Sequence, residues 1–582
     1  GWDWKNVLPY FIKSEHNSRG ASATHGGDGP LWSSDIQEKS ELMEAIIHGA
    51  EELGVPRTDD FNGGNQEGVG YFQLFTRNGW RNSSAVAYLR PAKNRANLRV
   101  ETDAQATQLI LKGRKAVGVR YRQNGELKEA RAGREVILSA GSLQSPQLLQ
   151  LSGIGPAALL RRHGIEVVHD LPGVGQNLQD HLQFRLMFKV SRPITTNDDL
   201  RTWAGQARVG LKWLLRGAGP LGIGINQGGL FTRVLPGSKT PDIQFHFGSL
   251  SADQAGGKPH AWSGCTFSVC QLRPESRGTV EIKSSDPMQA PSMRPNYLST
   301  ETDRLCAVES IKYARKLAAT DALRPYLEGE YKPGTGVQSD ADILEFAREN
   351  GATIFHPTGT CKMGSDALAV TDSQLRVHGI DGLRVVDCSI MPTLVSGNTH
   401  APAVMIAAHA SDMILAAATD HAVAAYTRAD NNKWERQMGQ DALLKRVVLA
   451  SLIGATVEWY DFFLYGVVAG IVFNQLYFPA GDPVVSTLLA YTTFAVGFVT
   501  RPLGGVIFGH FGDRIGRKSM LVLTLMIMGV ATFLIGLVPT YAQIGIWAPI
   551  LLLVLRVLQG IGLGGEWGGA VLMTYEYAPP EK

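Results

Sequence analysis

The pattern of apolar and polar positions divides the chain into two parts. Residues 1 to about 425 combine short alternating runs, helical repeats and glycine-rich turns, which is typical of a globular α/β (α+β) protein. Residues 446–582 are dominated by apolar runs, and the segments long enough to cross a bilayer lie at 446–473, 486–511, 519–538 and 546–575. A polar linker without periodicity lies at 421–445. The sequence therefore predicts a globular part followed by an all-α bundle of four transmembrane helices.

Helical spacing of apolar residues predicts a helix over 36–56 and a second over 301–319. Longer strand-like runs at 242–247 and 279–283 are rich in β-branched and aromatic residues. These runs predict strands that lie beside the helices.

Between 95 and 141 the sequence alternates over several short runs, separated by turns such as Asn124-Gly125. This pattern predicts a β-meander whose first strand covers 97–102. Ser145 and Pro146 follow the last run and predict a helix with serine as its N-cap and proline in its first turn.

A stretch dense in unusual residue combinations lies between 353 and 412. His356 opens the block H-P-T-G-T-C-K-M-G, and Asn398 lies in S-G-N-T-H-A-P. Between them an apolar run ends at Asp387, as a strand does when it ends against a ligand.

These residue types suit the oxidation of an alcohol by hydride transfer. The hydroxyl proton must leave while the hydride moves, so a neutral imidazole such as His356 is a suitable base. A carboxamide such as Asn398 can hold the substrate oxygen in line through its N–H group. His400 is the rival for this second position, and alignment back from Asp412 favours Asn398. The alternative is that His356 is an ordinary loop residue beside a proline.

Three blocks of the chain resemble, in order, the signatures of the glucose-methanol-choline (GMC) flavin oxidoreductases. They are the block from Gly141, G-S-L-Q-S-P-Q-L-L-Q-L-S-G-I-G, the block from Leu171, L-P-G-V-G-Q-N-L-Q-D-H, and the stretch containing His356 and Asn398. The resemblance covers residues 1 to about 415. It implies an FAD-dependent oxidoreductase that converts a primary alcohol to an aldehyde, with His356 and Asn398 as the catalytic pair.

The same resemblance implies where the cofactor lies. The positions that match FAD contacts of the family are Ala106, Gly141, Asp387, Cys388 and Thr399. His181, the last residue of the second block, is expected to have a structural role that supports the cofactor.

The resemblance also implies a domain order. We expect a partial FAD-binding domain with the β-meander at 1–190 and a substrate-binding domain, an antiparallel sheet with helices, at 191–350. A C-terminal FAD-binding and catalytic segment is expected at 351–420. A Rossmann unit needs a strand, a G-x-G-x-x-G turn and a helix. The matches at Gly153 and Gly560 follow a helix and lie inside an apolar run, respectively. The chain is therefore expected to lack the family's N-terminal FAD fingerprint.

In choline-specific members of the family an acid two residues before a Gly-Gly pair faces the trimethylammonium group. Alignment on Gly228-Gly229 places Asn226 at that position. A buried cation without a carboxylate is poorly compensated, so we expect a neutral alcohol rather than choline. The electron acceptor, whether oxygen, a quinone or another carrier, stays open.

The second part is similar to the metabolite/proton symporters of the major facilitator superfamily. The motifs are G-H-F-G-D-R-I-G-R-K at 509–518, a glycine-rich run that follows Arg556, and E-W-Y-D-F-F from Glu458. Charges within apolar spans are costly and mark polar paths. The candidate intramembrane or transport residues are Glu458, Asp461, Arg501, Asp513, Arg556 and Glu566.

Basic residues flank the predicted spans on one side only, for example Lys445, Arg446 and Arg517. The positive-inside rule places the globular part in the cytoplasm and predicts a multi-pass protein of a bacterial inner membrane. The segment covers the first four spans of such a carrier, so the favoured interpretation is an oxidoreductase fused to a truncated transporter segment. Two alternatives stay open: a proton-coupled metabolite symporter with a soluble appendage, or a non-functional fusion of two gene fragments.

Composition limits the classes of partner that the chain is expected to bind. Lys plus Arg total 56 and Asp plus Glu 53, so the balance of +3 gives no support to nucleic-acid binding. The five cysteines form no C-x-x-C pair, and no metal site is expected. The expected partners are a small-molecule alcohol and a lipid bilayer.

Overall fold

The computed structural model describes residues 1–254, 256–426, 468, 472–478, 483–505, 507–508 and 517–576. The chain separates into two compact units, Gly1–His421 and Ala422–Lys582.

Among the described residues, eleven α-helices begin in the first unit. They are α1 Trp4–Ser14, α2 Glu41–Glu52, α3 Arg90–Ala92, α4 Gly141–Leu151, α5 Ala157–Arg162, α6 Thr196–Arg201, α7 Trp203–Arg216, α8 Pro220–Ile223, α9 Glu301–Ala318, α10 Asp340–Asn350 and α11 His400–Tyr426. A π-turn covers Ala85–Leu89, and a 3-10 turn covers Cys388–Ile390.

The strands of the first unit are short, apart from those of the two antiparallel sheets. They are β1 Glu15–Asn17, β2 Leu31–Asp35, β3 Gly68–Tyr71, β4 Gln73–Leu74, β5 Thr76–Arg77, β6 Trp80–Arg81, β7 Ala104–Lys112, β8 Lys115–Gln123, β9 Glu126–Arg131, β10 Val136–Leu138, β11 Ile154–Gly155, β12 His169–Asp170, β13 Leu182–Val190, β14 Asn226–Thr232, β15 Ile243–Gly248, β16 Gly264–Gln271, β17 Thr279–Glu281, β18 Ser292–Arg294, β19 Leu327–Lys332, β20 Ala352–Thr353 and β21 Leu383–Val385.

The largest element is a seven-stranded antiparallel sheet with the order β19-β13-β16-β15-β14-β3, and β20 pairs with β13. Every residue of β15 and β16 is buried, because these central strands are covered on both faces. Phe245 and Phe267 lie in one hydrophobic cluster with residues of α2 and α9, such as Leu42 and Ile311. This packing fixes the register of β15, which carries part of the candidate site.

Where alternation predicted a meander, the structure has three antiparallel strands in the order β7-β8-β9. Residues 97–102 form no strand, contrary to our prediction. Asp103 has a left-handed φ of 55°, so the chain turns there and the ladder begins at Ala104.

The predicted start of the helix near Pro146 is also wrong. Helix α4 begins at Gly141, and Pro146 lies inside it. Proline has no N–H group to donate to the carbonyl of Ser142 one turn earlier. The hydroxyl of Thr360 donates to that carbonyl at 2.6 Å instead, so a side chain from a distant loop satisfies the position that proline leaves open.

The described helices of the second unit are α12 Asn474–Leu476, α13 Pro483–Val499, α14 Arg517–Ile535, α15 Tyr541–Ile544 and α16 Trp547–Glu576. They overlap three of the four predicted spans, whereas 446–473 lies almost wholly outside the described residues. A Cβ on Gly560, in α16, would lie 2.1 Å from the hydroxyl of Thr500, which follows α13. Glycine at 560 therefore permits the close approach of these two segments.

Among the described residues, one helical segment is both long and apolar enough to cross a membrane, His400–Ala418, with a mean hydropathy of 1.5. It belongs to α11 and begins two residues after Asn398. Met526–Ile535 and Trp547–Gly562 are shorter apolar segments. The bundle of four spans therefore stays a prediction.

Candidate active site

The first part of the site lies where two parallel strands end. Strands β10 and β21 pair in parallel, with Leu138 opposite Val385. Asp387 follows β21, and its Oδ2 accepts hydrogen bonds from the N–H of Gly141 at 2.9 Å and the hydroxyl of Ser145 at 2.6 Å. Its Oδ1 accepts the N–H of Ser389 at 2.8 Å. We call this arrangement the Asp387 junction. It brings together the predicted cofactor residues Gly141 and Asp387 at the carboxyl ends of the strands, where ligands of parallel sheets bind.

The Asp387 junction fits a polar cofactor such as FAD. The buried hydroxyl oxygens of Ser142 and Ser389, one on each side of the junction, have no hydrogen-bond partner among the described residues. Buried hydroxyls normally have partners, so these two are available to a ligand. A Cβ built on Gly141 would meet no atom within 4 Å, and its φ of 80° suits glycine.

The other predicted cofactor residues are Cys388, Ala106 and Thr399, and they differ in their contact with the junction. Cys388 is half-buried beside Asp387, and burial raises the pKa of its thiol to about 12, so it stays protonated. Ala106 lies in β7 opposite Tyr121. The carbonyl of Thr399 accepts the N–H of Ala403 at 3.0 Å at the start of α11. In the part of the chain that the structure describes, neither Ala106 nor Thr399 belongs to the hydrogen bonds of the junction.

The second part of the site is a group of buried histidines. Nδ1 of His356 lies 3.0 Å from Nδ1 of His181, and Nε2 of His181 lies 3.1 Å from the carbonyl oxygen of Leu272. A carbonyl only accepts, so His181 carries its proton on Nε2 and presents a lone pair at Nδ1. His356 must then donate from Nδ1, which leaves its Nε2 as a free base.

Burial keeps both rings neutral. His181 is 0% exposed and His356 is 8% exposed. Desolvation lowers the pKa of His356 to about 4. Burial, and secondly the neighbouring His356, lowers the pKa of His181 to about 3. The main-chain N–H of His356 also donates to the carboxylate of Asp180 at 2.9 Å, which holds the loop in place.

The third part is contributed by β15. The amide nitrogen of Gln244 donates to Oδ1 of Asn398 at 3.1 Å and lies 3.2 Å from Nε2 of His246. The pKa of His246 is lowered to about 4, first by burial and then by His356, while Asn398 acts in the opposite direction. His246 thus interacts with both members of the predicted pair. We call His181, Gln244, His246, His356 and Asn398 the histidine cluster.

One loop joins the histidine cluster to the Asp387 junction. It begins at His356, and Thr360 bonds to the carbonyl of Ser142. Cys361 then donates its main-chain N–H to the carbonyl of Ser389 at 2.9 Å. The imidazole of His356 is therefore fixed, through five residues of chain, to the turn that follows β21.

His400 belongs to a different environment. Its Nε2 lies 3.1 Å from the hydroxyl of Ser84, and its ring packs edge-on to Phe75 with centroids 4.9 Å apart. Of the two candidates for the second position, the structure thus places Asn398, and not His400, in the histidine cluster.

The sequence patterns did not predict Gln244 and His246 as site residues, and they predicted only a structural role for His181. A signal existed for the first two, because they are two residues apart in a strand that is otherwise apolar at Ile243, Phe245 and Phe247. That spacing places both polar side chains on one face of the sheet. The contact between His181 and His356 joins residues 175 positions apart and left no local signal.

The residue aligned with the family's choline-binding acid, Asn226, is exposed at the start of β14 and pairs with Gly248. Aromatic rings lie nearer to the histidine cluster. The ring of Phe72 lies 5.6 Å from that of His246, and Phe61 packs against both Phe72 and Phe231.

The predicted transport residues are described only in part. Glu458, Asp461 and Asp513, and the side chain of Glu566, lie outside the described residues. Arg501 is half-buried. Arg556 is buried and donates to Gln559, whose amide nitrogen donates to the hydroxyl of Thr532 at 2.8 Å. Within the described residues, no group of three His, Cys, Asp or Glu side chains is arranged to hold a metal ion.

A polar junction at parallel strand ends, joined by one loop to a neutral histidine and a carboxamide, is an arrangement that suits a cofactor-dependent oxidoreductase. Family models described as GMC oxidoreductase match residues 1–183 and 274–407, and a model described as Sugar (and other) transporter matches 447–582. The chain belongs to the GMC oxidoreductase family, whose cofactor is FAD. The transporter match supports the predicted fusion and association with a membrane.

Relatives of known activity cover most of the first unit. The chain is 42% identical over 417 residues to an oxygen-dependent choline dehydrogenase of Pseudomonas putida, covering 71% of this chain and 74% of the relative. It is 43% identical over 420 residues to the mitochondrial choline dehydrogenase of Homo sapiens, covering 71% and 70%.

Solved structures agree on the fold. A pyridoxine 4-oxidase from Mesorbium loti is 30% identical, with a TM-score of 0.63 over 71% of this chain and 77% of that one. A formate oxidase of Aspergillus oryzae, studied for FAD modification, is 26% identical, with a TM-score of 0.68 over 72% and 79%.

Proposed function

We propose that the first unit oxidises a primary alcohol to an aldehyde, with FAD as hydride acceptor and with His356 and Asn398 as the catalytic pair. The observation that carries this proposal is the series of hydrogen bonds from His356 through His181 to the carbonyl of Leu272. It leaves a neutral imidazole with an unprotonated Nε2 next to a family-typical cofactor site.

In this mechanism Nε2 of His356 removes the hydroxyl proton of the alcohol. Asn398 holds the alcohol oxygen. Because Gln244 donates to Oδ1 of Asn398, the Nδ2 group of Asn398 is the one directed to the substrate. The Asp387 junction would hold FAD, which would supply the acceptor for the hydride of the carbinol carbon.

His181 and His246 are positioning residues in this proposal. His181 fixes the tautomer of His356, because it accepts from Nδ1 and so keeps the proton away from Nε2. His246 contacts Gln244 and thereby supports the amide that orients Asn398. The low pKa of both rings, caused by burial, means that neither adds a positive charge to the site near neutral pH.

For the substrate we favour a neutral primary alcohol. The choline-binding acid of the family is replaced by Asn226, and a desolvated quaternary ammonium needs a compensating charge. Choline is the alternative, and two observations favour it. The relatives are choline dehydrogenases, and the rings of Phe61, Phe72 and Phe231 near His246 offer cation–π contacts.

The test is steady-state reduction of an artificial electron acceptor by the purified protein with FAD bound. We expect turnover with neutral primary alcohols, a higher kcat/KM for them than for choline, and loss of turnover in His356→Ala with FAD absorbance retained. Absence of turnover with every alcohol, from protein that holds FAD, would reject the proposed activity. Preference for choline would reject only the proposed substrate.

A second candidate function rests on the match of 447–582 to the Sugar (and other) transporter family. We propose that this segment lies in a bacterial inner membrane with the first unit in the cytoplasm, as the basic residues at 445–446 and 514–518 favour. Proton-driven uptake of a metabolite by reconstituted proteoliposomes would support a symporter. Without such uptake, the segment would serve only to hold the oxidoreductase at the membrane.

A further inference from the structure

Helix α7, Trp203–Arg216, turns its apolar side to the solvent. Trp203 is 82% exposed, and Leu211, Leu214 and Leu215 are 57%, 69% and 72% exposed. These residues and the exposed Ala204 and Ala207 repeat at intervals of three and four, so they form one continuous stripe. A surface helix of a globular protein normally buries such a stripe, whereas α7 exposes it.

The orientation of α7 is set by contacts on its opposite side. Gly205 and Val209 are buried, and the indole N–H of Trp213 donates to the carbonyl of Gly79 at 2.9 Å. The rings of Trp213 and Trp80 lie with centroids 4.3 Å apart. The hydrogen bond and the ring contact attach the helix through the side that carries Gly205, Val209 and Trp213. The leucines on the opposite side therefore stay exposed to the solvent.

A close backbone contact adds to this anchoring. A Cβ on Gly217, which ends α7 with a φ of 63°, would lie 2.4 Å from the carbonyl oxygen of Asn78. Two further exposed apolar residues follow this turn in the sequence, Leu221 and Ile225, each 56% exposed. We call Trp203, Leu211, Leu214, Leu215, Leu221 and Ile225 the apolar face.

Positive charges lie beside the apolar face. Helix α7 carries Arg208, Lys212 and Arg216 on the neighbouring stripe and contains no acidic residue. At its edge, Arg208 pairs with Asp199 at 2.6 Å and Lys212 pairs with Glu38 at 2.5 Å. A helix with an exposed apolar stripe, an exposed tryptophan and flanking cations is suited to the boundary between water and an anionic bilayer.

We propose that the apolar face of α7 and α8 docks on the surface of an anionic lipid bilayer, with the helix in the membrane plane. Arg208 and Lys212 are paired with carboxylates, whereas Arg216 is exposed and forms no ion pair among the described residues. The positive charge of Arg216 beside the apolar face favours an anionic bilayer over an uncharged protein groove. The same chain carries a segment matched by a membrane transporter family, so a bilayer belongs to its surroundings. This attachment is separate from the transporter-like segment and concerns the oxidoreductase unit itself.

The test uses the full chain, with FAD bound, in single-copy nanodiscs. An environment-sensitive fluorophore is attached at Leu214→Cys, and in a matched control at Glu345→Cys, an exposed position on α10. With phosphatidylglycerol present, we expect a blue shift of the label at 214 and its quenching by lipids that carry a nitroxide near the headgroup. The label at 345 should be unaffected. Retained flavin absorbance shows that each labelled protein is folded.

A second variant tests the charges. Arg208→Gln, Lys212→Gln and Arg216→Gln together keep the apolar face and should reduce quenching at 214. Quenching that is equal in purely zwitterionic discs would contradict the choice of an anionic surface. A water-like, unquenched label at 214 would overturn the proposal. So would a blue shift that appears without lipid and rises with protein concentration, because a second copy would then cover the face.

Discussion

The Asp387 junction and the histidine cluster lie in one unit and are joined by one loop, yet they are built on opposite principles. At the junction one carboxylate accepts three hydrogen bonds from Gly141, Ser145 and Ser389, and these bonds rigidify the turn. The hydroxyls of Ser142 and Ser389, which have no partner among the described residues, can bind a ligand but are not bases near neutral pH. In the histidine cluster the rings are neutral, and Nε2 of His356 carries an open lone pair that can take a proton. We therefore propose that the first region binds the cofactor and that the second transfers the proton.

The largest effect is expected when the open lone pair on Nε2 of His356 is removed. In His356→Gln the side chain keeps hydrogen-bonding capacity but lacks a base, so kcat should fall by about 10²- to 10⁴-fold. FAD content should be unchanged, because the Asp387 junction is intact. Steady-state turnover and flavin absorbance measure the two quantities. Loss of flavin together with activity would show that the two regions are not separable.

The converse change is Asp387→Asn. The amide accepts with one oxygen only and cannot satisfy all three donors, and each charge-assisted hydrogen bond contributes about 1.5–3 kcal/mol. We expect a lower free energy of unfolding and less FAD per protein, measured by urea titration and by absorbance. Asp286→Asn, at an exposed turn, is the control. Equal FAD retention in both variants would remove the junction from the cofactor site.

How much of this contrast was predictable depends on the range of each interaction. Three motif blocks led to the fold of the first unit, to His356 and Asn398, and to the Gly141–Asp387 pair, because each block is local in sequence. The two polar residues of β15 were missed although their spacing of two marked one face of a buried strand. The predicted start of α4 was wrong because Pro146 is accommodated inside the helix by a hydrogen bond from Thr360 to the carbonyl of Ser142. Thr360 lies far along the chain, so no local pattern marks this bond.

A smaller effect is expected when the tautomer of His356 is no longer fixed but the base itself is kept. In His181→Phe the Nδ1–H of His356 loses its acceptor, a hydrogen bond of about 1 kcal/mol, and kcat should fall roughly five- to tenfold. His181→Gln can donate to Leu272 and accept from His356, so it should restore most of the rate. If both variants lowered thermal stability alone, with the pH profile of kcat unchanged, His181 would be merely structural.

The smallest effect concerns pH. Burial lowers the pKa of His356 to about 4. A lowered pKa means that the ring stays neutral, and active as a base, as the pH falls below the usual value near 6.5. We therefore expect kcat/KM to change by less than about twofold between pH 7 and 5.5. A steep loss with a midpoint near 6.5 would mean that the ring is solvated in the working enzyme.

The most direct test of the central claim is the anaerobic, single-turnover reduction of bound flavin by a neutral primary alcohol, followed by stopped-flow absorbance. With the wild-type protein, the oxidised flavin band should bleach in one step. In His356→Gln, loaded with the same amount of FAD, bleaching should be slower by about two orders of magnitude or more. Equal rates in the two proteins would contradict the assignment of His356 as the base.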